Sequence, residues 1–319
     1  MPQKQDGASG KYILGFDGGG TKTECVLGDS EGNILAKATS GPSNPLRAGY
    51  MRAWFALGEA GDNVMARHKL TAHQIAAVCA GLGGAGRPGV ARRVTTYFER
   101  SYPQAEVQVT TDLDIALHAA FGDREGILLL AGTGSAAFGR DAHGRTARAG
   151  GRGPWISDEG GAFDIGRRAV QAVSLADEGR GPETALTKKV LSQNAWRDWT
   201  RLLEAISKNS DDVFPKIFPF VAQVADKGDA VAQRILTEAA GELAGLAHVV
   251  ARELGWLDAP FAIAKAGGTY GRSKFFDAAI ESAVTNLMPK ARLVGMEMSA
   301  AEAAVHMALR QVRSKGNAA

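Results

Sequence analysis

Cysteine is nearly missing: the 319 residues hold only Cys25 and Cys79. Both fall inside apolar stretches that read as strands. That placement suits free buried thiols in a reducing compartment and argues against a disulfide framework or a thiolate metal site. Long apolar runs are missing too. No stretch approaches the roughly 20 residues that span a bilayer, and Met1 to Gly10 is polar, without the apolar region of a secretory leader. A soluble cytoplasmic protein is expected, with residues 1–10 disordered. An excess of one charge is also missing. The formal net charge is +3 and the basic residues are dispersed, so neither nucleic acid nor a membrane is indicated as a partner. The six histidines show no metal-ligand spacing.

Glycine, in contrast, is abundant at 40 residues, and two clusters of it carry information. Gly15-Phe-Asp17-Gly-Gly-Gly20-Thr-Lys-Thr23 and Leu130-Ala-Gly132-Thr-Gly134-Ser135 each follow an apolar run and lead into another. Each therefore reads as strand, tight turn, strand, whereas a P-loop runs from a strand into a helix. Gly18, Gly19 and Gly20 permit positive φ and close approach of backbone N–H groups to phosphate oxygens. Thr21, Lys22 and Thr23 add hydroxyl and ammonium donors. Asp17, at the end of the preceding strand, is placed to hold a magnesium ion directly or through its waters. Gly132, Thr133, Gly134 and Ser135 repeat the logic. Either segment alone is as readily a plain glycine-rich turn; two with matching flanks point to a pair of loops that grip one nucleotide.

Length and a 45% hydrophobic content suggest two domains. The periodicity predicts strands at 12–16, 23–28 and 34–39, a helix over 49–68, a strand at 75–80, a helix over 90–101, a strand at 107–111 and a helix over 112–121. Asp112 thus stands at a strand end and helix start, where α/β folds often keep a catalytic group, although Asp is also a favoured helix cap there. Asp114 reads as a solvent-facing or dipole-favouring residue. A second meander follows at 127–131, 136–140 and 145–149, which echoes the first and implies two like domains with a cleft between them. The remainder is mostly helical, at 162–177, 183–192, 194–207, 214–225 and 230–254, with strands at 261–265 and 291–294 and a terminal helix over 300–313. The domains are read as 11–121 and 122–299, the second with a helical insertion, and 300–313 as a segment able to pack back on the first.

The order Asp17-Gly-Gly-Gly-Thr-Lys-Thr23, Gly41-Pro-Ser-Asn44-Pro, Thr111-Asp112, Gly132-Thr-Gly-Ser135, Asp158-Glu-Gly160 and Gly267-Gly268 resembles the N-acetylglucosamine kinases. These belong to the actin-like ATPase superfamily, in the branch shared with the benzoyl-CoA reductase activator ATPases. The resemblance covers about residues 12 to 310 and implies an α/β fold of two ribonuclease H-like domains. It further implies ATP and Mg2+ as cofactors, an amino sugar as substrate, and phosphoryl transfer to the sugar 6-hydroxyl with domain closure about a hinge near Gly122. By position, Gly18 to Thr23 and Gly132 to Ser135 become the phosphate-binding segments, Gly267 and Gly268 the adenosine motif, and Asp17 the magnesium residue. Asp112 becomes the general base, Asn44 and Asp158 bind sugar hydroxyls, and Gly150 and Gly151 line the sugar. The chain departs from the family where Arg152 stands in place of an expected Trp and Ser157 in place of Gly.

Bland readings stand beside these. Asn44 also reads as a turn residue between prolines, one of Asp158 and Glu159 as a helix cap, Arg152 as solvent-facing, and Trp196 and Trp199 as packing anchors. Two other functions stay open: an activator ATPase that carries a [4Fe–4S] cluster on exposed thiolates, and a sugar sensor without turnover. A homodimer is a further expectation, because the apolar helices of the second half leave room for an interface.

Overall fold

The computed structural model describes residues 12–192 and 196–316, so the disorder expected for residues 1–10 lies outside the described residues. The chain divides into two compact units, Met1–Asp123 with Glu297–Ala319, and Arg124–Met296. The first opens with a meander of β1 (Tyr12–Gly18), β2 (Thr23–Asp29) and β3 (Ile34–Ser40). It continues through α1 (Pro45–Ala48), α2 (Tyr50–Arg67), β4 (Ile75–Leu82), α3 (Pro88–Ser101), β5 (Glu106–Thr110) and α4 (Asp112–Phe121). Its sheet runs β3-β2-β1-β4-β5, antiparallel within the meander and parallel across β1, β4 and β5.

The second unit repeats this plan. Its strands are β6 (Gly126–Ala131), β7 (Ser135–Arg140) and β8 (Thr146–Gly150), followed by helices α5 (Ala162–Asp177), α6 (Ala185–Val190), α7 (Trp199–Ala225) and α8 (Ala230–Leu254). β9 (Phe261–Ala266), α9 (Lys274–Leu287) and β10 (Ala291–Val294) complete it. The sheet order is β10-β9-β6-β7-β8, with β6 antiparallel to β7 and parallel to β9 as β1 is to β2 and β4. The fold is α/β, a ribonuclease H-like sheet built twice. The last helix, α10 (Ala300–Gly316), returns to the first unit.

Central strands of the first sheet are apolar on both faces because both are covered. Leu14, Phe16, Leu27 and Val78 meet Leu57 of α2 and Val94 and Phe98 of α3. On the other face Ile13, Val26 and Cys79 meet Ile115 of α4 and Ala301 and Val305 of α10. Each buried Leu, Ile, Val or Phe among these stabilises by about 1.5–3 kcal/mol, against about 0–1 kcal/mol for an exposed ion pair, so these two layers hold the unit together. Both cysteines are free and buried as expected; burial raises the Cys25 thiol well above its ordinary value and pushes Cys79 up to about 12. In the second unit one cluster joins Ile127, Leu129 and Ala131 of β6 to α5, α7 and α8.

Two helix expectations need correction. A short α1 precedes α2, because Gly49 at φ +78 separates them. The helix expected over 183–192 contracts to Ala185–Val190. The pair expected at 194–207 and 214–225 is found as two helices that meet at a kink at Asn209 (φ −161, ψ 83) within Trp199–Ala225; residues 194 and 195 lie outside the described residues. Among the described residues no helix is long and apolar enough to cross a membrane.

Candidate active site

In the first unit, Gly18 pairs with Thr23 at the mouth of the β1–β2 hairpin, and the Gly19 N–H donates to the Lys22 carbonyl at 3.0 Å. The expected positive φ is not found at Gly18, Gly19 or Gly20. Glycine is needed there for space: a Cβ on Gly18 would lie 2.2 Å from both Leu82 Cδ2 and Ser43 Oγ, and one on Gly20 would crowd Arg47 at 3.2 Å. Gly20, Thr21 and Lys22 are exposed, with Lys22 Nζ 3.8 Å from Glu24. Thr23 is turned inward. It is fully buried and its hydroxyl donates to the Gly41 carbonyl at 2.7 Å.

That bond begins a set of ties between the hairpin and the segment carrying Asn44. The Ser43 and Asn44 N–H groups both donate to the Gly19 carbonyl at 3.1 and 3.0 Å, and the Gly83 N–H donates to Gly18 at 2.8 Å. Asn44 caps α1, its Oδ1 accepting from the Leu46 N–H at 3.0 Å, so the turn reading holds for half of the side chain. The other half faces the end of β4. A Cβ on Gly83 would meet Asn44 Nδ2 at 2.8 Å and Asp112 Oδ2 at 3.5 Å, which puts both predicted side chains over one glycine. Gly83 and its neighbour Gly84 (φ +90) escaped the sequence reading; the doubled glycine after an apolar strand was the available signal.

Asp112 is not the cap of α4. Thr111 holds that position, accepting from the Asp114 N–H at 3.1 Å, while Asp114 Oδ2 accepts from both the Thr110 and Thr111 hydroxyls at 2.6 Å. Asp114 therefore belongs to a capping box and is partly buried, contrary to the solvent reading. Asp112 occupies the first helical turn, where its Oδ1 accepts a local bond from the Leu113 N–H at 3.1 Å. Its charge is felt by Asp17. Lost hydration, then the Asp112 and Glu24 charges, push the Asp17 carboxyl from 3.8 up to about 7, with Lys22 opposing.

In the second unit the β6–β7 hairpin repeats the design. Ala131 pairs with Ser135, and Ser135 is buried with its hydroxyl donated to the Glu159 carbonyl at 2.5 Å. Gly134 again serves space, since its Cβ would lie 2.2 Å from Asp158 Oδ2. Asp158 is buried and accepts from the Gly153 N–H at 3.3 Å. The first amides of α5, from Ala162 and Phe163, donate to the carbonyls of Gly132 and Thr133 at 2.8 and 3.0 Å. Gly267, at φ +111, sits against the Ala131 carbonyl, to which the Thr269 hydroxyl donates at 2.7 Å. Three glycine segments, at 132–134, 158–161 and 267–268, thus meet at the end of β6.

Gly150 and Gly151 take φ +73 and +71 and turn the chain after β8. Arg152 beyond them is exposed, in keeping with the solvent reading. Trp155 was missed. It is 64% exposed while its ring packs edge-on to Phe163 at 5.1 Å. Trp196 and Trp199 pack against the second core as expected.

A sequence model described as the BadF/BadG/BcrA/BcrD ATPase family matches residues 14–305. The chain is 29% identical over 302 residues to the N-acetylmuramic acid/N-acetylglucosamine kinase of Clostridium acetobutylicum, covering 93% of this chain and 98% of that protein. It is 27% identical over 317 residues to the N-acetyl-D-glucosamine kinase of Dictyostelium discoideum, covering 94% and 98%. The crystal structure of a candidate N-acetylglucosamine kinase from Chromobacterium violaceum superposes with a TM-score of 0.76 at 27% identity, covering 93% and 99%.

Proposed function

The chain belongs to the BadF/BadG/BcrA/BcrD ATPase family, and from that premise we propose that it is an ATP-dependent amino-sugar kinase that phosphorylates the 6-hydroxyl of N-acetylglucosamine or glucosamine. The observation that carries this reading is the convergence of Asn44 and Asp112 on Gly83, beside a glycine hairpin tied to the same segment. A carboxylate and an amide over a space that admits no Cβ suit a polyhydroxyl substrate, and the hairpin amides suit phosphate.

In this mechanism Asn44 Nδ2 and Asp158 orient the sugar, and Asp112 accepts the proton of the 6-hydroxyl as O6 bonds to the γ-phosphorus. The bond from that phosphorus to the bridging oxygen breaks and ADP departs. Lys22, Thr21 and the loops Gly18–Gly20 and Gly132–Gly134 hold the phosphates, with the Gly19 and Gly132 N–H groups engaged inside their own hairpins; Gly267 and Gly268 border the adenosine. Thr23 and Ser135 act through the buried ties that their hydroxyls make to Gly41 and Glu159, not by touching phosphate. Asp17, a desolvated carboxylate in the field of Asp112 and Glu24, would hold a magnesium ion only together with phosphate oxygens and waters, because among the described residues no three acidic, His or Cys side chains gather closely enough to hold one. Such an ion characteristically binds one or two carboxylates together with phosphate oxygens and neutralises their charge. The burial of both cysteines disfavours the cluster-bearing activator, which needs accessible thiolates.

ADP release from ATP and magnesium, measured with N-acetylglucosamine, glucosamine, glucose, N-acetylmannosamine and no sugar, tests the proposal. Strong stimulation by an amino sugar is the expected result. Equal slow release in every reaction would remove the kinase.

A further inference from the structure

Helices α2 and α3 enclose an open groove of about 640 Å³ that shares no lining residue with the hairpins, Asn44 or Asp112. That volume is in the range of small-ligand sites, about 300–1,000 Å³. The walls follow i, i+4 rows: Tyr50 and Trp54 on α2, and on α3 Arg93 with Tyr97 and Arg92 with Arg100 at the same helical face.

The aromatic wall is held in place by its own contacts. Trp54 and Tyr97 stack at 4.6 Å with ring planes 6° apart, and the Tyr97 hydroxyl donates to the Trp54 carbonyl at 3.0 Å. A Cβ at Gly58 would press on that hydroxyl at 3.1 Å. Arg93 lies 4.8 Å over the Tyr50 ring. Arg92, Arg93 and Arg100 are all exposed, and among the described residues no carboxylate pairs with any of them. Three guanidinium groups beside a fixed aromatic face, without internal counter-charge, complement an anion that also carries a ring.

We propose that this groove is a second ligand site, for a phosphate ester bearing a ring with a flat or apolar face. The arginines take the phosphate as paired N–H donors, and Tyr50, Trp54 and Tyr97 take the ring. Tyr50 opens α2 directly after Gly49, close behind the α1 helix that Asn44 caps. A ligand seated on Tyr50 therefore bears on the segment that holds Asn44, which makes it an effector of sugar binding; this last step rests on the kinase reading.

Calorimetric titration of the full chain with uridine diphosphate, glucose 6-phosphate and inorganic phosphate tests the site. It is run on wild type, on Arg93→Ala/Arg100→Ala and on Lys22→Ala, with melting curves to verify that the surface substitutions leave the fold intact. A ring-bearing ester should bind wild type and Lys22→Ala alike, more tightly than inorganic phosphate does, and at least tenfold more weakly to the arginine variant. The ester that wins tells whether base or sugar supplies the ring. Equal binding of inorganic phosphate, unaltered ester binding by the arginine variant, or no ester binding to wild type would overturn the proposal. Binding is read without turnover, so a protein that holds the ester through these arginines yet shows no phosphoryl transfer would defeat the kinase reading alone.

Discussion

Thr111 and Asp114 cap α4 between them, so the Asp112 carboxylate, which sequence alone offered as a possible cap, stands at the first turn facing Gly83. Asp112→Asn should therefore leave sugar affinity nearly intact and lower kcat by about 10²–10⁴-fold, the usual contribution of a positioned base; steady-state kinetics with a sugar-binding titration checks this, and unchanged turnover would take the base role away. Asp17 makes a prediction of opposite kind. Its folded-state value near 7 lies above the ordinary 3.8, so the folded chain keeps a proton that the unfolded chain has released between those values. Stability from that proton is full below 3.8, declines as pH rises and is lost above about 7. Asp17→Asn should thus melt above wild type at about pH 8 and near it at about pH 4; parallel Tm profiles would contradict the desolvation argument. Both aspartates were legible because each stands at a strand end. The work of Gly18 and Gly134 was misread as backbone handedness, since what excludes a Cβ there is Ser43 or Asp158, neighbours that only the folded chain supplies.

At the scale of elements, the two hairpins share a device. The first residue of each return strand, Thr23 or Ser135, buries its hydroxyl on the carbonyl of Gly41 or Glu159, and each acceptor lies close in sequence to a proposed sugar residue, Asn44 or Asp158. Nucleotide loop and sugar segment should then move together. Thr23→Val and Ser135→Ala should each destabilise by about 0.5–1.5 kcal/mol, the net value of one hydrogen bond. Each should also raise the KM for ATP and for sugar together, as denaturant titration and two-substrate kinetics would show. A change confined to ATP would instead make these hydroxyls direct phosphate ligands. Strand positions were readable from apolar runs between turn residues, and most helices from their period. The brief α1 was not, because four residues carry no period, whereas the break that Asn209 makes within α7 falls between the two helices expected there.

On the scale of the whole molecule, the repeated sheet order was foreshadowed by the two meanders. That the terminal helix could pack back on the first unit was expected; which strands it covers, β1 and β2, was not readable from the helix itself, because its footprint is on the strands. A Cβ at Gly15 would strike the Ala301 carbonyl at 2.2 Å, and one at Gly28 would lie 2.5 Å from Val305. The second unit is continuous in sequence while the first is made of two separated pieces. Residues 124–296 expressed alone should accordingly melt cooperatively. Residues 1–123 alone should expose Ile13, Val26 and Ile115 and fail to do so until a peptide of residues 297–316 is added; cooperative melting of 1–123 without that peptide would refute the dependence.

During synthesis the same arrangement imposes an order. Residues 12–123 cannot close their second apolar face until residues 300–316 have been made, while the intervening 124–296 are free to mature ahead of them. A polypeptide that stops short of Ala300 would therefore display an open sheet to chaperones and proteases, and synthesis of helix α10 is the event that withdraws it.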